Sequence, residues 1–169
     1  MSAKIKRLTH AAVIAALYVA LGVLQNLLLP GSASMAIQFR VAEALCVLSL
    51  FTPTAVWGLS VGCLLFNLTQ AGALPLDVFV GTAATAFSTL SMYALGKANW
   101  RGARVIALLM PALWNALLVG WELSVYVGGG FFINALYVAI GEAAVLSVLG
   151  SALYAVIKNR KLDIYLFGK

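Results

Sequence analysis

Charged residues are scarce in this chain. They make up 9% of the 169 residues, whereas 63% of the residues are hydrophobic. A soluble domain of this length normally carries about 25% charged residues, so this chain has too little polar surface to cover a soluble fold. The composition therefore argues against a soluble enzyme and indicates a membrane protein, for which lipid is the solvent.

Groups suited to metal binding or catalysis are also few. The two cysteines, Cys46 and Cys63, both lie in apolar runs, and we expect them to be buried, reduced thiols. The single histidine, His10, is expected at a membrane interface. The phosphate-loop, zinc-protease and nucleophile-elbow motifs are all missing. We therefore predict no metal, no cofactor and no ATP hydrolysis by this chain, so that solute accumulation would need a partner or an ion gradient.

Long hydrophobic runs, in contrast, fill the sequence. A membrane-spanning helix needs about 20 mainly apolar residues, and we predict six spans, over residues 9–29, 37–51, 54–68, 76–96, 104–127 and 132–157. The first run is too long for a signal peptide and is expected to be retained. The second and third runs are short and are separated by an uncharged Thr52-Pro53 break. One kinked helix, giving an odd number of spans, is therefore the alternative.

The basic residues favour six spans. With six, 10 of the 11 fall on one side of the membrane, and Arg40 is the exception. The ten are Lys4, Lys6, Arg7, Lys97, Arg101, Arg104, Lys158, Arg160, Lys161 and Lys169. Because loops rich in Lys and Arg stay inside the cell, both termini are predicted to be cytoplasmic. We therefore expect an all-α fold, with residues 1–169 forming a single domain of six transmembrane helices.

Four acidic residues lie at the opposite ends of these spans. Glu43, Asp77, Glu122 and Glu142 belong to four different predicted helices and should converge in the outer half of the bilayer. A carboxylate within hydrocarbon costs about 2.5–3.5 kcal/mol on insertion scales, so it marks either a site or an interhelical hydrogen bond. Glu142 shares a helical face with Asn134, which we interpret as the lining of a cavity, with the hydrogen bond as the alternative.

Several neighbouring residues have two interpretations. Asn115 shares a face with Glu122, while Trp121 either stacks on a ligand or anchors the helix at the membrane interface. Asp77 either contacts a ligand or caps its helix. Arg40 either pairs with Glu43, three residues away, or donates to a ligand.

Small residues recur four apart on two predicted spans. Ala11, Ala12, Ala15, Ala16 and Ala20 lie on the first, and Gly58 and Gly62 lie on the third. Such patterns let helices approach closely. Packing within the bundle is one interpretation. A docking surface on the first span for another membrane protein is the other.

Four segments carry a resemblance to a known family. Residues 38–45, QFRVAEAL, resemble the start of the second span in the QueT family, and residues 77–85, DVFVGTAAT, are similar to its fourth span. Residues 115–123, NALLVGWEL, and 134–142, NALYVAIGE, resemble its last two spans. The similarity covers nearly the whole chain. The Gly128-Gly129-Gly130 stretch departs from the family pattern and leaves the shape of that outer loop open.

The resemblance implies that the chain is the substrate-binding (S) component of an energy-coupling factor (ECF) transporter in a bacterial cell membrane. The implied substrate is a queuosine precursor, a 7-deazaguanine such as preQ1, preQ0 or queuine. The implied partners are a transmembrane coupling protein and two cytoplasmic ATPases. An alanine stripe, here Ala11, Ala15 and Ala16, would contact the coupling protein, and the S component would topple to deliver its substrate.

A guanine-like base suits acidic residues, because one carboxylate can accept hydrogen bonds from both its ring N–H and its amine. Glu122 and Glu142 are our first candidates for this edge. The remaining candidates are Asp77, Glu43, Asn134 and Asn115, with Arg40 orienting Glu43, and Phe39 and Trp121 stacking on the base. The loops at 30–36 and 69–75 are candidate lids.

Three other functions remain open from the sequence. The chain could be an S component for a different vitamin, such as riboflavin or biotin. It could be a stand-alone proton-coupled carrier or a small channel. A membrane-embedded enzyme that uses paired acids is the third.

Overall fold

The structure is a computed structural model that describes residues 2–32, 37–70, 76–98, 100 and 102–167. Every regular element in this part of the chain is a helix, which confirms the predicted all-α class. The elements are α1 (Ala3–Leu28), a 3₁₀ helix (Val41–Leu50), α2 (Thr54–Thr69), α3 (Asp77–Gly96), α4 (Ala103–Tyr126), α5 (Phe131–Val145), a π-helical turn (Leu146–Gly150), α6 (Ser151–Asn159) and α7 (Leu162–Phe167).

Four helical stretches are long and apolar enough to cross a membrane, namely Ala3–Leu28, Asp77–Gly96, Ala103–Tyr126 and Phe131–Asn159. The 3₁₀ helix and α2 are apolar but shorter. A 3₁₀ helix rises about 2 Å per residue, so this one covers only about 20 Å of a hydrocarbon core about 30 Å thick. The count of six spans and the cytoplasmic termini therefore stay predictions. Arg101 and Lys169 lie outside the described residues.

The second predicted span differs most from the prediction. Residues 38–40 are not helical, and the 10 residues that follow form a 3₁₀ helix instead of an α-helix. Seven of those 10 residues are buried, and the helix packs against α1 to α6 and the π-helical turn. The 3₁₀ helix is therefore the central element of the described bundle, which explains why all of its residues except Glu43 and Ser49 are apolar.

Close packing joins α1 to α2. A Cβ atom added to Gly58 would lie 2.7 Å from the Ala11 carbonyl oxygen, and one added to Gly62 would lie 2.7 Å from the Cβ of Tyr18. The packing interpretation of these glycines is thus confirmed. Ala15 is only 6% exposed because it faces the same interface.

The alanine stripe proposed for docking must therefore be corrected. Ala15 is buried and Ala11 is half-buried, and of the three docking candidates only Ala16 is exposed. Ala12 and Ala20 are also exposed, one helical turn before and after Ala16. Because successive residues of an α-helix point about 100° apart, the small-residue stripe that remains accessible is Ala12, Ala16 and Ala20.

A sharp corner joins α6 to α7, a short helix that the sequence did not predict. Lys161 adopts a positive φ of 53° at this corner, and Lys158 Nζ donates to Asp163 Oδ2 at 2.6 Å. This hydrogen bond lowers the pKa of Asp163 below its ordinary value. The corner folds α7 back toward the bundle, where Phe167 stacks on Phe51 with 6.4 Å between ring centroids.

The α1–α2 contact makes a stability prediction. Gly58→Ala should force α1 away from α2, because the new methyl group would meet backbone that cannot yield. We expect the free energy of unfolding to fall by about 1–3 kcal/mol, measured as a lower melting temperature in detergent. Gly150→Ala is the control, because its methyl group would meet only side-chain atoms, at 3.3 Å or more. Equal melting temperatures for the two variants would contradict the close contact.

Candidate functional site

Arg40 lies in a buried polar cluster. Its side chain is buried, as are those of Glu43, Glu122 and Glu142. Asp77 meets Arg40 beside Gly81. Packing of Gly141 on the Gln38 backbone and of Gly120 on the Ala135 backbone brings α5 to the segment that carries Arg40 and α4 to α5.

Glu43 holds three elements of this cluster together. Its Oε1 atom accepts hydrogen bonds from the Tyr18 hydroxyl at 2.6 Å and from Thr85 Oγ1 at 2.8 Å. Its Oε2 atom accepts a hydrogen bond from Cys46 Sγ at 2.9 Å. These donors come from α1, α3 and the 3₁₀ helix. Because all three bonds lie within the protein, Glu43 serves to position the elements around the cluster.

The interpretation of Arg40 and Glu43 as an ion pair is wrong. The ion pair found among the described residues joins Lys158 to Asp163. Arg40 Nη2 instead donates to Asn67 Oδ1 at 2.9 Å. Arg40 therefore does not orient Glu43 through a direct bond, and its buried Nη1 atom has no hydrogen-bond partner within the described part of the chain.

Glu122 and Glu142, unlike Glu43, accept no hydrogen bond from the described residues. Both side chains are fully buried, and among the described residues none donates a hydrogen bond to any of their four carboxyl oxygens. Glycines beside them bring the backbones together: Gly120 packs against the Ala135 backbone, and Gly141 lies against the backbone of Gln38 too closely for any side chain. A buried carboxyl group without a donor is costly, and the described part of the chain supplies no donor to these two residues.

Asp77 lies at the start of α3, beside Gly81. Leu76 occupies the N-cap position, so the interpretation of Asp77 as the cap is wrong. A Cβ atom added to Gly81 would lie 2.8 Å from Asn67 Nδ2, 3.1 Å from Asp77 Oδ1 and 3.4 Å from Arg40 Nη1. The missing side chain at Gly81 thus allows these three polar groups to approach one another.

The two candidate asparagines have different surroundings. Asn115 is buried, its Nδ2 atom donates to the Pro111 carbonyl at 3.1 Å, and no described residue donates to its Oδ1 atom. Asn134 Nδ2 donates to the Gly128 carbonyl at 2.7 Å, which ties α5 to the loop before it. Gly128, Gly129 and Gly130 all have φ between 82° and 85°, a conformation that only glycine adopts readily.

Neither predicted stacking residue lies inside the cluster. Phe39 is 42% exposed while Gln38 and Arg40 on either side are buried, so its ring points away from the guanidinium. Trp121 is 48% exposed beside the fully buried Glu122, because neighbouring helical residues point about 100° apart. The prediction that these rings stack on a buried ligand is not supported.

The chain before the 3₁₀ helix is held by one side chain of α1. Gln25 Oε1 accepts from the Val41 N–H at 2.8 Å, and Gln25 Nε2 donates to Ser32 Oγ at 2.9 Å and to the Phe39 carbonyl. Gln25 therefore sets the position of the segment that carries Arg40. Of the candidate lids, residues 33–36 and 71–75 lie outside the described residues.

The cluster has a clear chemical preference. It contains a buried guanidinium and several buried carboxyl groups, and the carboxyl groups of Glu122 and Glu142 have no donor among the described residues. Charge-assisted hydrogen bonds are strong where water is excluded. The cluster is therefore suited to a small molecule rich in N–H donors or carrying positive charge. Within the described residues, no group of three His, Cys, Asp or Glu side chains is arranged to hold a metal ion.

Comparison with known proteins identifies the family. The sequence model of the QueT transporter family matches residues 8–159, which include every residue of the buried cluster. The chain belongs to the QueT transporter family. It is therefore a membrane transport protein with a small-molecule substrate. Curated proteins and solved structures gave no match.

Tyr18 is the main residue of this QueT family member's cluster that the sequence did not single out. It is fully buried on the face of α1 that also carries Ile14, Gly22 and Gln25. A buried tyrosine hydroxyl normally finds a hydrogen-bond partner. A tyrosine in the middle of an apolar span is therefore expected to donate a hydrogen bond to a polar group on another helix, such as one of the acids.

The hydrogen bond between Tyr18 and Glu43 makes a second prediction. Tyr18→Phe should remove one donor from a buried carboxylate and lower the free energy of unfolding by about 1.5–3 kcal/mol, measured by thermal melting in detergent. Tyr165→Phe removes the same hydroxyl from an exposed residue of α7 and should melt as the wild type does. If Tyr18→Phe melts like this control, Glu43 does not depend on the Tyr18 hydroxyl.

Proposed function

We propose that this QueT family member is the substrate-binding component of an ECF transporter and that it binds a queuosine precursor of the 7-deazaguanine class. One observation carries the proposal: Glu122 and Glu142 are buried carboxyl groups whose oxygens have no donor within the described chain. A transport protein that keeps two such groups in its interior is built to receive the missing donors from its cargo.

The donors of a 7-deazaguanine fit these acceptors. Its ring N–H and exocyclic amine can bond to the two oxygens of one carboxylate, and the aminomethyl cation of preQ1 can bond to a second acid. The unpaired Nη1 atom of Arg40 offers a donor for the carbonyl oxygen of the base. We propose Glu142 and Glu122 for the N–H edge and the cation. Asp77 and the Asn115 amide oxygen lie at the edge of the same site.

The remaining steps of transport follow from the resemblance to S components. The loops at 30–36 and 69–75 would close the site. The exposed stripe of Ala12, Ala16 and Ala20 would contact the transmembrane coupling protein, and two cytoplasmic ATPases would supply the energy for toppling. Small residues support this surface, because they let a partner helix approach closely.

Calorimetric titration of the detergent-purified protein with preQ1, preQ0, queuine and guanine tests the substrate class. We expect a deazaguanine to bind, and Glu142→Gln and Glu122→Gln each to weaken binding by about 10- to 100-fold, because each loses charge-assisted hydrogen bonds. Asp163→Asn is the matched control, since it makes the same chemical change at α7, away from the site. Normal affinity in both Gln variants would remove these residues from the site.

The titration also separates the competing substrates. Folded protein that binds riboflavin or biotin, and none of the deazaguanines, would be an S component for another vitamin.

A stand-alone carrier is the second candidate, because buried acids without partners are also typical of proton-coupled transporters. Uptake by this chain alone in proteoliposomes under a proton gradient would favour the carrier. Uptake that requires the coupling protein, the ATPases and ATP would favour the S component.

A further inference from the structure

A basic cleft lies at the end of the bundle where α1 begins. Its volume is about 340 Å³, and Lys6, Arg7 and His10 line it from α1. Thr52, in the turn before α2, and Thr54, the first residue of α2, also line it. Among the described residues, no acidic side chain borders this cleft, and the Lys158–Asp163 ion pair leaves Lys6 and Arg7 unneutralised. The cleft therefore presents two exposed cations and two hydroxyl groups to whatever enters it.

Aromatic rings form the inner wall of the cleft. Phe51 is buried and stacks on Phe167, and His10 contacts the edge of Phe167 with 6.4 Å between ring centroids. The short helix α7, which carries Phe167, thus closes one side of the cleft. The cleft is therefore a pocket with a wall of packed aromatic side chains, in addition to its charged residues.

An apolar groove continues from this cleft along α1. The groove has a volume of about 210 Å³ and shares His10, Leu166 and Phe167 with the cleft. Val13 and Leu17 extend it along α1. From Lys6 to Leu17 the helix rises about 16 Å at 1.5 Å per residue, close to half the thickness of the hydrocarbon core. The combined site therefore has a cationic end and an apolar end, spaced to match one leaflet.

We propose that the cleft and the groove together bind an anionic phospholipid. The phosphate group lies against Lys6 and Arg7, since a guanidinium can donate two parallel hydrogen bonds to phosphate oxygens. The hydroxyl groups of Thr52 and Thr54 donate to the same headgroup. One acyl chain lies along Val13 and Leu17. A free phosphate ion would occupy only the basic cleft. A phospholipid also has an acyl chain that fits the apolar groove, so the groove favours a lipid.

The test compares lipid binding by native mass spectrometry of the full chain with phosphatidylglycerol and with phosphatidylcholine. Each basic side chain near an anionic headgroup strengthens binding by about fivefold. Lys6→Ala combined with Arg7→Ala should therefore weaken phosphatidylglycerol binding by about 25-fold and leave phosphatidylcholine binding unchanged. The matched control is Lys97→Ala combined with Arg160→Ala, which removes one exposed lysine and one exposed arginine that do not line the cleft. The control should bind phosphatidylglycerol as the wild type does.

A second variant separates a bound lipid from a bound phosphate ion. Val13→Trp fills the apolar groove from an exposed position and leaves the cations in place. It should weaken phosphatidylglycerol binding several-fold and leave the binding of inorganic phosphate unchanged. The proposal is overturned if the Lys6 and Arg7 variant keeps its phosphatidylglycerol, or if the control loses as much. Wild-type lipid binding by Val13→Trp would likewise overturn it, since a site for phosphate alone would then remain.

Discussion

The buried carboxyl group of Glu43 is the constraint on which the rest of the interior depends. A charge removed from water must be compensated within the protein, and Glu43 is compensated by donors from α1, α3 and the 3₁₀ helix. Satisfying these three bonds at once fixes how the three elements face one another. Arg40, three residues earlier, is thereby carried into the interior, with one of its nitrogens still available.

The acids of the cluster consequently have different tasks. Glu43 accepts three hydrogen bonds from within the protein, whereas Glu122 and Glu142 accept none from the described residues. The hydrogen bonds of Glu43 hold the surrounding helices in place. The carboxyl groups of Glu122 and Glu142 are still able to accept hydrogen bonds. A binding site held by a rigid interior loses less entropy when its ligand arrives, because its groups are already in place.

Much of the helical architecture could be predicted from the sequence, because long apolar runs and the breaks between them are local features. The third span was placed within one residue of α2, and the fourth within one residue of α3. The 3₁₀ helix could not be predicted, since residues 41–50 are buried on all sides and show no periodicity that distinguishes one helix type from another. The corner that leads to α7 depends on a positive φ at Lys161, a residue type that does not predict this conformation.

The candidate site could likewise be predicted only in part from the sequence. The placement of the four acids on four different helices follows from topology alone, so it was accessible from the sequence. Their partners were not, because a hydrogen bond between helices depends on how each helix is rotated about its axis. Ala15 and Ala16 show how much this matters: they are neighbours in the chain, yet one is buried and the other is exposed. Phe39 and Arg40 show the same effect where the chain is not helical.

The π-helical turn at Leu146–Gly150 has a consequence for how related chains can diverge. A π turn accommodates a residue more than an α turn, and each residue rotates a helix by about 100°. Gain or loss of a single residue here would swing α6 and α7 around the bundle while α5, with Glu142, kept its orientation. By one insertion or deletion, relatives could thus change the surface formed by α6 and α7 and keep the orientation of Glu142.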